Sequence, residues 1–420
     1  MANQLHKKFM DEQVKSLLQR YNDREIKLEY ILEILGIRRR RFFQLLQRYR
    51  GNPEGFSIAY NREKPTRKIS KELEENILKE LSIEAHLIEN KDIPIKSFNY
   101  SYIKDQLWKK YRQKVSLPTI IKRAKENNFY IQKKKKKSHD REVLTNYAGE
   151  LIQHDSSLHR WSPYVDKKWN LITSLDDYSR YLLYADLVER ETSWDHIEAL
   201  ESTILKHGLP YKYYVDSHSI FRFVQKRDSF WRTHYKVTDE ADPQWKQVLK
   251  DCRVNITYAL SPQAKGKIER PYGWLQDRLV RGCAREMVRT LAQARPLLKS
   301  EVFRYNNHQV HSSTGETPYI RFQKALDKKK SLFREFKVPP PFESSKDIFC
   351  LRATRRVDPY RYISFNNIKF KISGVPIRSR IHLRIVPNKE TGLGEIRFWH
   401  ENKLVSVQNI KNEDINLVHF

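Results

Sequence analysis

The spacing of apolar residues changes twice along this 420-residue chain, and that change of period constrains its folding more than any single motif. Up to about residue 130 apolar positions recur at helical intervals; from Tyr147 strand-like and helical runs alternate; beyond Pro339, Pro340 and Pro341 only short alternating runs remain. A helix buries a stripe recurring every 3.6 residues and a strand buries every second residue, so neither pattern can serve the other element. The chain therefore reads as multidomain: all-α modules first, a central α/β domain, and a small all-β domain last. Its length and 39% hydrophobic content support two to four buried cores.

Residues 1–55 contain three helical patterns, "DEQVKSLLQRY", "KLEYILEILGI" and "RRRRFFQLLQRYR", with Gly36 separating the last two. A helix, a short glycine turn and a basic second helix predict a helix-turn-helix module, with Arg38, Arg39, Arg40 and Arg41 toward DNA. A plain helical hairpin with a solvated charged face is the alternative. Residues 66–132 predict a second helical DNA-binding module. Its last helix opens on Ser116 as N-cap with Pro118 in the first turn, and offers Thr119, Lys122, Arg123 and Lys125 to bases and phosphates. A basic linker, 133–144, follows with "KKKKK".

Between 145 and 325, "GELIQHDSS" and "WNLITSLDDYSRYLLYADLVER" read as strands, the second a hairpin turning at Asp176 and Asp177. "SWDHIEALESTILKHG" reads as a helix stopped by Gly208; "YKYYVDS" and "RVNITYAL" are further strands. A charged, proline-closed linker is expected over 326–345 and a small β-barrel over 346–420.

Lysine and arginine number 80 against 51 acids, a net charge of +29, and the pI is near 9.8. Such a surplus predicts a polyanionic partner, nucleic acid first. The start, "MANQLHKKFMDEQ", has no apolar signal core and no apolar run suits a membrane, so a cytoplasmic protein is expected. Cys252, Cys283 and Cys350 form no CxxC pair, which argues against zinc ribbons and disulfide frameworks. No GxSxG elbow or GxxxxGK[ST] loop supports a serine hydrolase or an ATPase. Any metal is expected on oxygen ligands.

Three acids follow strand-like runs in the α/β segment: Asp155 after "ELIQH", Asp216 after "YKYYV", and Glu269 after the strand 253–260 and a short loop. Hard carboxylate donors brought together from separate elements suit Mg²⁺ or Mn²⁺ and phosphodiester chemistry. Asp176 and Asp177 are better explained by turn hydrogen bonds and an ion pair to Arg180.

In order, "GELIQHDSSLHRW", "LDDYSRYLLYADL", "LPYKYYVDSHSIF", "SPQAKGKIERPYGWLQDRL" and "YNNHQVHSSTGETP" resemble the core of DDE transposases of the retroviral-integrase type, as carried by bacterial insertion sequences. The resemblance covers roughly residues 145–325. It implies an RNase-H-like catalytic core, an SH3-like terminal barrel, and a catalytic, metal-binding triad of Asp155, Asp216 and Glu269 holding two Mg²⁺ (or Mn²⁺) ions. The implied partners are double-stranded DNA, both element ends and target, and further copies of the chain, at least a dimer at synapsis. Arg270 and Arg278 would grip phosphates, with Lys265 and Lys267 bordering them, in a protein associated with the bacterial nucleoid. A nuclease on the same fold and a DNA-binding regulator derived from a transposase are the rival readings.

Three departures accompany the resemblance. Asp216 and Glu269 are 269 − 216 = 53 positions apart, with "QKRDSFWRTHYKVTDEADPQWK" resembling an insertion. His218 stands where the family often has glycine. Pro271 predicts a helix beginning close to Glu269, which would put the acid in the first turn.

Overall fold

The computed structural model describes residues 5–59, 69–131, 144–216, 220–221, 243–259 and 266–415, the side chains of 266–269 excepted. The chain divides into two compact units, Met1–Glu74 and Glu75–Phe420.

The first unit contains α1 (Asp11–Asn22), α2 (Leu28–Leu35) and α3 (Arg39–Gly51). Each contributes one apolar stripe: Val14 and Leu18, Ile31 and Leu35, and Phe42, Leu45 and Leu46 are all buried together. Gly36 ends α2 in the left-handed conformation, φ 61°, which glycine adopts without a Cβ clash. Arg38 is the extended N-cap of α3, and Arg38 to Arg41 all remain exposed.

The second unit opens within α4 (Lys71–Glu89), followed by α5 (Tyr100–Tyr111) and α6 (Leu117–Glu126). Ser116 caps α6 by accepting from the Thr119 amide, with Pro118 in the first turn, as the sequence predicts. Next come β1 (Ile152–His159), β2 (Trp169–Asp176), β3 (Leu182–Val188), α7 (Ser193–His207), β4 (Lys212–Val215), α8 (Gln244–Asp251) and β5 (Asn255–Tyr258). The five strands form one mixed sheet in the order β3-β2-β1-β4-β5. β1, β2 and β3 are antiparallel neighbours, whereas β4 runs parallel to both β1 and β5.

Helices α9 (Gly266–Arg285), α10 (Leu291–His308) and α11 (Pro318–Asp327) complete this region. One apolar cluster joins Ile152 and Tyr213 to Ile197, Leu200 and Trp245 of α7 and α8. The other joins Trp169, Leu171 and Leu175 to Leu275, Leu279 and Leu298 of α9 and α10. The sheet is thus covered on both faces, and all eight residues of β2 are buried.

The segment read as a charged linker is fastened along the core. It continues from α11, and Leu332 donates to the Ala148 carbonyl while Leu209 and Arg334 exchange backbone hydrogen bonds. Its charged residues stay outside while Phe333 and Phe336 pack on the first cluster. Beyond it, β6 (Leu351–Arg356), β7 (Tyr362–Phe365), β8 (Ile368–Lys371), β9 (Arg380–Val386), β10 (Leu393–His400) and β11 (Lys403–Lys411) precede the short α12 (Asn412–Ile415). They form a four-stranded sheet, β11-β10-β9-β6, and a β7-β8 hairpin. Ile363 and Phe365 of the hairpin share their cluster with Leu383 and Phe398 of the sheet.

Candidate active site

Asp155 does not follow a strand; it lies inside β1, opposite Thr173 of β2. The polar run His154 to His159 stays extended because it pairs residue for residue with β2. Its other neighbour, β4, is short and pairs only Ile152 with Tyr213 and Gln153 with Tyr214. Continuing that register by two residues brings Asp155 level with Asp216, the residue that follows β4. Neighbouring strands lie about 4.8 Å apart, so two half-buried acids occupy adjacent positions, Asp155 midway along β1 and Asp216 just past the carboxyl end of β4. The sheet changes there from antiparallel to parallel, the kind of place where open α/β sheets bind ligands.

Glu269 is the fourth residue of α9, and its carboxylate is outside the described residues. Pro271 lies within the helix rather than at its start. The lost N–H falls in the second turn, and the helix accommodates it instead of beginning there. Position 269 is one turn before Tyr272 and two before Gln276, the spacing of a common face. That face lies on the sheet: Thr173 donates to the Tyr272 hydroxyl (2.8 Å) and Gln276 to Ser157 of β1 (3.4 Å). Burial holds the Tyr272 phenol well above its ordinary pKa, and the negative charge of Asp155, then of Glu191 and Asp216, pushes it further. The Thr173 hydrogen bond works the other way. Tyr272 and Glu191 were missed by sequence reasoning. Tyr272 could have been found as the i+3 neighbour of Glu269; no periodic signal marks Glu191, just before the Thr192 cap of α7.

Asp176 and Asp177 are structural. Asp176 accepts from the amides of Gly149 and Ser179, and Asp177 from Gln153, Thr145 and Arg180. The expected Asp177–Arg180 pair is present at 2.9 Å.

The expected phosphate contact at Arg278 requires correction. Only 1% of its side chain is exposed, and it pairs with Asp105 of α5 (2.5 Å) and Glu301 of α10 (2.6 Å). Tyr102 and Trp274 each present a ring 4.9 Å from its guanidinium. Its Nε and Nη2 are committed to two carboxylates and its Nη1 is buried without a partner, so it cannot serve DNA without breaking those pairs and leaving its site. Arg281 and Arg285 continue the contact, with fully buried Glu84 and with Glu80 and Glu84 respectively. Arg123 is similarly committed to Glu126 (2.7 Å), and Lys122 pairs loosely with the same acid (3.7 Å). Thr119 hydrogen-bonds Ser116, and Lys125 lies over the Tyr130 ring. Arg270 is exposed. Lys265, His218, the side chain of Lys267, residues 225–242 of the insertion and residues 133–143 of the basic linker lie outside the described residues.

Two exposed arrangements of arginines carry positive charge that no described acid pairs with, at a local cost. Arg38 to Arg41 crowd the N-terminal end of α3, where the helix dipole favours anions. Arg356 stands directly opposite Arg380 across β6 and β9, both exposed, although like charges in that position repel.

Asp155 and Asp216 supply the hard oxygen donors that Mg²⁺ or Mn²⁺ prefers. Among the described residues no group of three His, Cys, Asp or Glu side chains is arranged to hold a metal; the carboxylate of the third expected acid is not among them. The three cysteines are buried and unpaired, and no helix among the described residues is long and apolar enough to cross a membrane.

No family model matches the chain. It is 27% identical over 252 residues, 60% of its length, to a putative transposase, y4bF, of Sinorhizobium fredii, and 29% identical over 232 residues, 55% of its length, to the transposase for insertion sequence IS1202 of Streptococcus pneumoniae. Those alignments take in 50% and 44% of the relatives, so the chain spans about half the length of the curated proteins it matches. Among solved structures, the magnesium complex of the HTLV-2 integrase catalytic core matches 42% of this chain and 97% of its own, at 16% identity and a TM-score of 0.31. A simian T-cell lymphotropic virus intasome bound to the PP2A subunit B56 gamma matches 71% and 89%, at 16% identity and a TM-score of 0.34. Both structural likenesses are too slight to bear on activity. The chain is thus similar to curated bacterial transposases, one of them the transposase for an insertion sequence.

Proposed function

We propose that this chain is a DNA transposase that binds the terminal inverted repeats of its element and performs divalent-metal-dependent strand cleavage and strand transfer. The observation that carries the reading is the level placement of Asp155 and Asp216 on adjacent parallel strands, with position 269 on the sheet-facing side of α9. Those three acids would hold two Mg²⁺ or Mn²⁺ ions, which when bound would activate the attacking hydroxyl and steady the leaving oxygen of a phosphodiester. The chain itself supplies the rigid frame: β1 and β4 fix the two aspartates, and α9 brings position 269 toward them. Exposed arginines at 38–41, 356 and 380 attract the DNA backbone, which also offsets their mutual repulsion. The first reaction is hydrolysis at the element end; the 3′-hydroxyl it releases is the nucleophile for target DNA. Two ends must be held together, so at least a dimer acts at synapsis, in the bacterial cytoplasm where the nucleoid lies.

The test incubates the full chain with labelled terminal-repeat DNA, a target plasmid and Mg²⁺. Joined product is expected from the wild type and none from Asp155→Asn, Asp216→Asn or Glu269→Gln. Nicks without joining would point to a nuclease instead. Sequence-specific binding with no cleavage, unchanged by the substitutions, would point to a regulator.

A further inference from the structure

A chain of hydrogen bonds passes behind Asp155 on the face of the sheet opposite α9. Ser174 of β2 bonds His154 Nδ1 (2.9 Å), His154 Nε2 bonds His196 Nδ1 (2.8 Å), and His196 Nε2 bonds Glu191 Oε1 (2.8 Å). Ser156 Oγ donates to the same Glu191 oxygen (2.6 Å). Both histidines are fully buried, with Trp245 stacked on His154 and Phe221 edge-on to both rings. With His196 Nε2–H donating to the carboxylate, His154 Nε2–H donates to His196 Nδ1 and the Ser174 hydroxyl to His154 Nδ1. Every donor along the chain then points toward Glu191.

His154 and Ser156 are the residues on either side of Asp155. Side chains alternate along a strand, so anchoring 154 and 156 on one face fixes the backbone that presents 155 on the other. Burying two histidines to reach one carboxylate is costly unless every partner is in place. Nothing in the sheet's own pairing requires it, because β1 is already held by β2 along its whole length.

We propose that Glu191 is a positioning residue: through Ser156 and the His196–His154 pair it holds the 154–156 segment so that Asp155 faces the metal site. The inference rests on the transposase reading of Asp155 as a metal ligand. Partners of this kind change metal affinity by about 10–100-fold when removed.

The test measures binding of Mn²⁺ alone to the full chain by calorimetry, beside thermal unfolding. Glu191→Ala is expected to weaken Mn²⁺ binding about 10-fold or more. Glu191→Gln keeps an acceptor oxygen for Ser156 and His196 and is expected to restore most of it. Ser156→Ala cuts one arm at a half-buried position and is expected to weaken binding several-fold if Glu191→Ala does not fold. Wild-type Mn²⁺ affinity in both Glu191→Ala and Ser156→Ala would make the network merely structural and overturn the proposal. Glu191→Gln as weak as Glu191→Ala would also overturn it, since charge and not anchoring would then matter. A wild-type chain that binds no Mn²⁺, with Asp155→Asn indistinguishable from it, would sink the metal reading itself and this inference with it.

Discussion

Replacing Arg281 by methionine tests whether α9 is locked to α4 by charge. Arg281 is fully buried, as is Glu84, to which it donates; it also donates to the Ser97 carbonyl and to Asp277 (2.9 Å). Methionine keeps much of the volume and none of the donors, leaving Glu84 with Arg285 alone (2.9 Å). Breaking a buried pair on one side costs about 3–5 kcal/mol. Because Arg285 stays, the expected loss is at the lower end, about 3 kcal/mol. The loss should depend on pH. Burial already holds the Glu84 carboxyl above its ordinary 4.5, outweighing Arg281 and Arg285, and removing Arg281 raises it further. A carboxyl with a raised folded pKa binds more protons folded than unfolded. Stability contributed by the neutral form is therefore present below the unfolded value and is lost as pH rises through the folded one. The deficit of Arg281→Met against wild type is expected to be small near pH 4.5 and full well above it. Calorimetric unfolding of both proteins at pH 5 and pH 8, at one scan rate, reads this directly. Adding Glu84→Gln removes the buried charge, so the double variant should regain most of the loss at pH 8 and show little pH dependence. Equal deficits at both pH values, or no relief from Glu84→Gln, would refute the reasoning.

Two further outcomes are expected. Gly208 has φ 95°, and a Cβ there would lie 2.5 Å from the Arg334 carbonyl oxygen; Gly208→Ala should cost about 1–3 kcal/mol and free the 328–337 segment, read as faster proteolytic cleavage there. Changing Arg38 to Arg41 together to glutamine should leave unfolding unchanged, since all four are exposed. It should lower the slope of log affinity against log salt by up to about 3.6 on duplex DNA, in fluorescence anisotropy across a NaCl series.

What the sequence made legible was what local chemistry decides. The Ser116 cap, the Gly36 and Gly208 stops, the Asp177–Arg180 turn pair and the strand at 212–215 all depend on residues a few positions apart. What it hid depends on partners far along the chain. "GELIQHDSS" reads as a strand, but nothing near His154 announces that it is fully buried, because Ser174 and His196, which satisfy its ring, lie 20 and 42 positions away. Arg278 looks like one more cation on a basic surface, because nothing near it announces Asp105, 173 residues away. The segment after α11 looks like a linker because its lysines dominate its composition, while Phe333 and Phe336 do the packing.

The basic stretch around Glu269 resolves into two faces of one helix. At 100° per residue, positions 269 and 276 nearly coincide, and 278, 281 and 285 fall about 120–180° away from 269. One side of α9 meets the sheet through Tyr272, Leu275, Gln276 and Leu279. The other meets α4 and α5 through three arginines and the acids Glu80, Glu84 and Asp105. Of the cations expected to face DNA here, Arg278 is therefore internal, together with Arg281. Their ion pairs fasten the helical module of the second unit to the helix that carries Glu269. A buried pair of ions is weak evidence of stability, and in some proteins it fixes one arrangement against others. On that argument α6, the helix proposed to read DNA, and position 269, proposed to act on it, share one rigid frame.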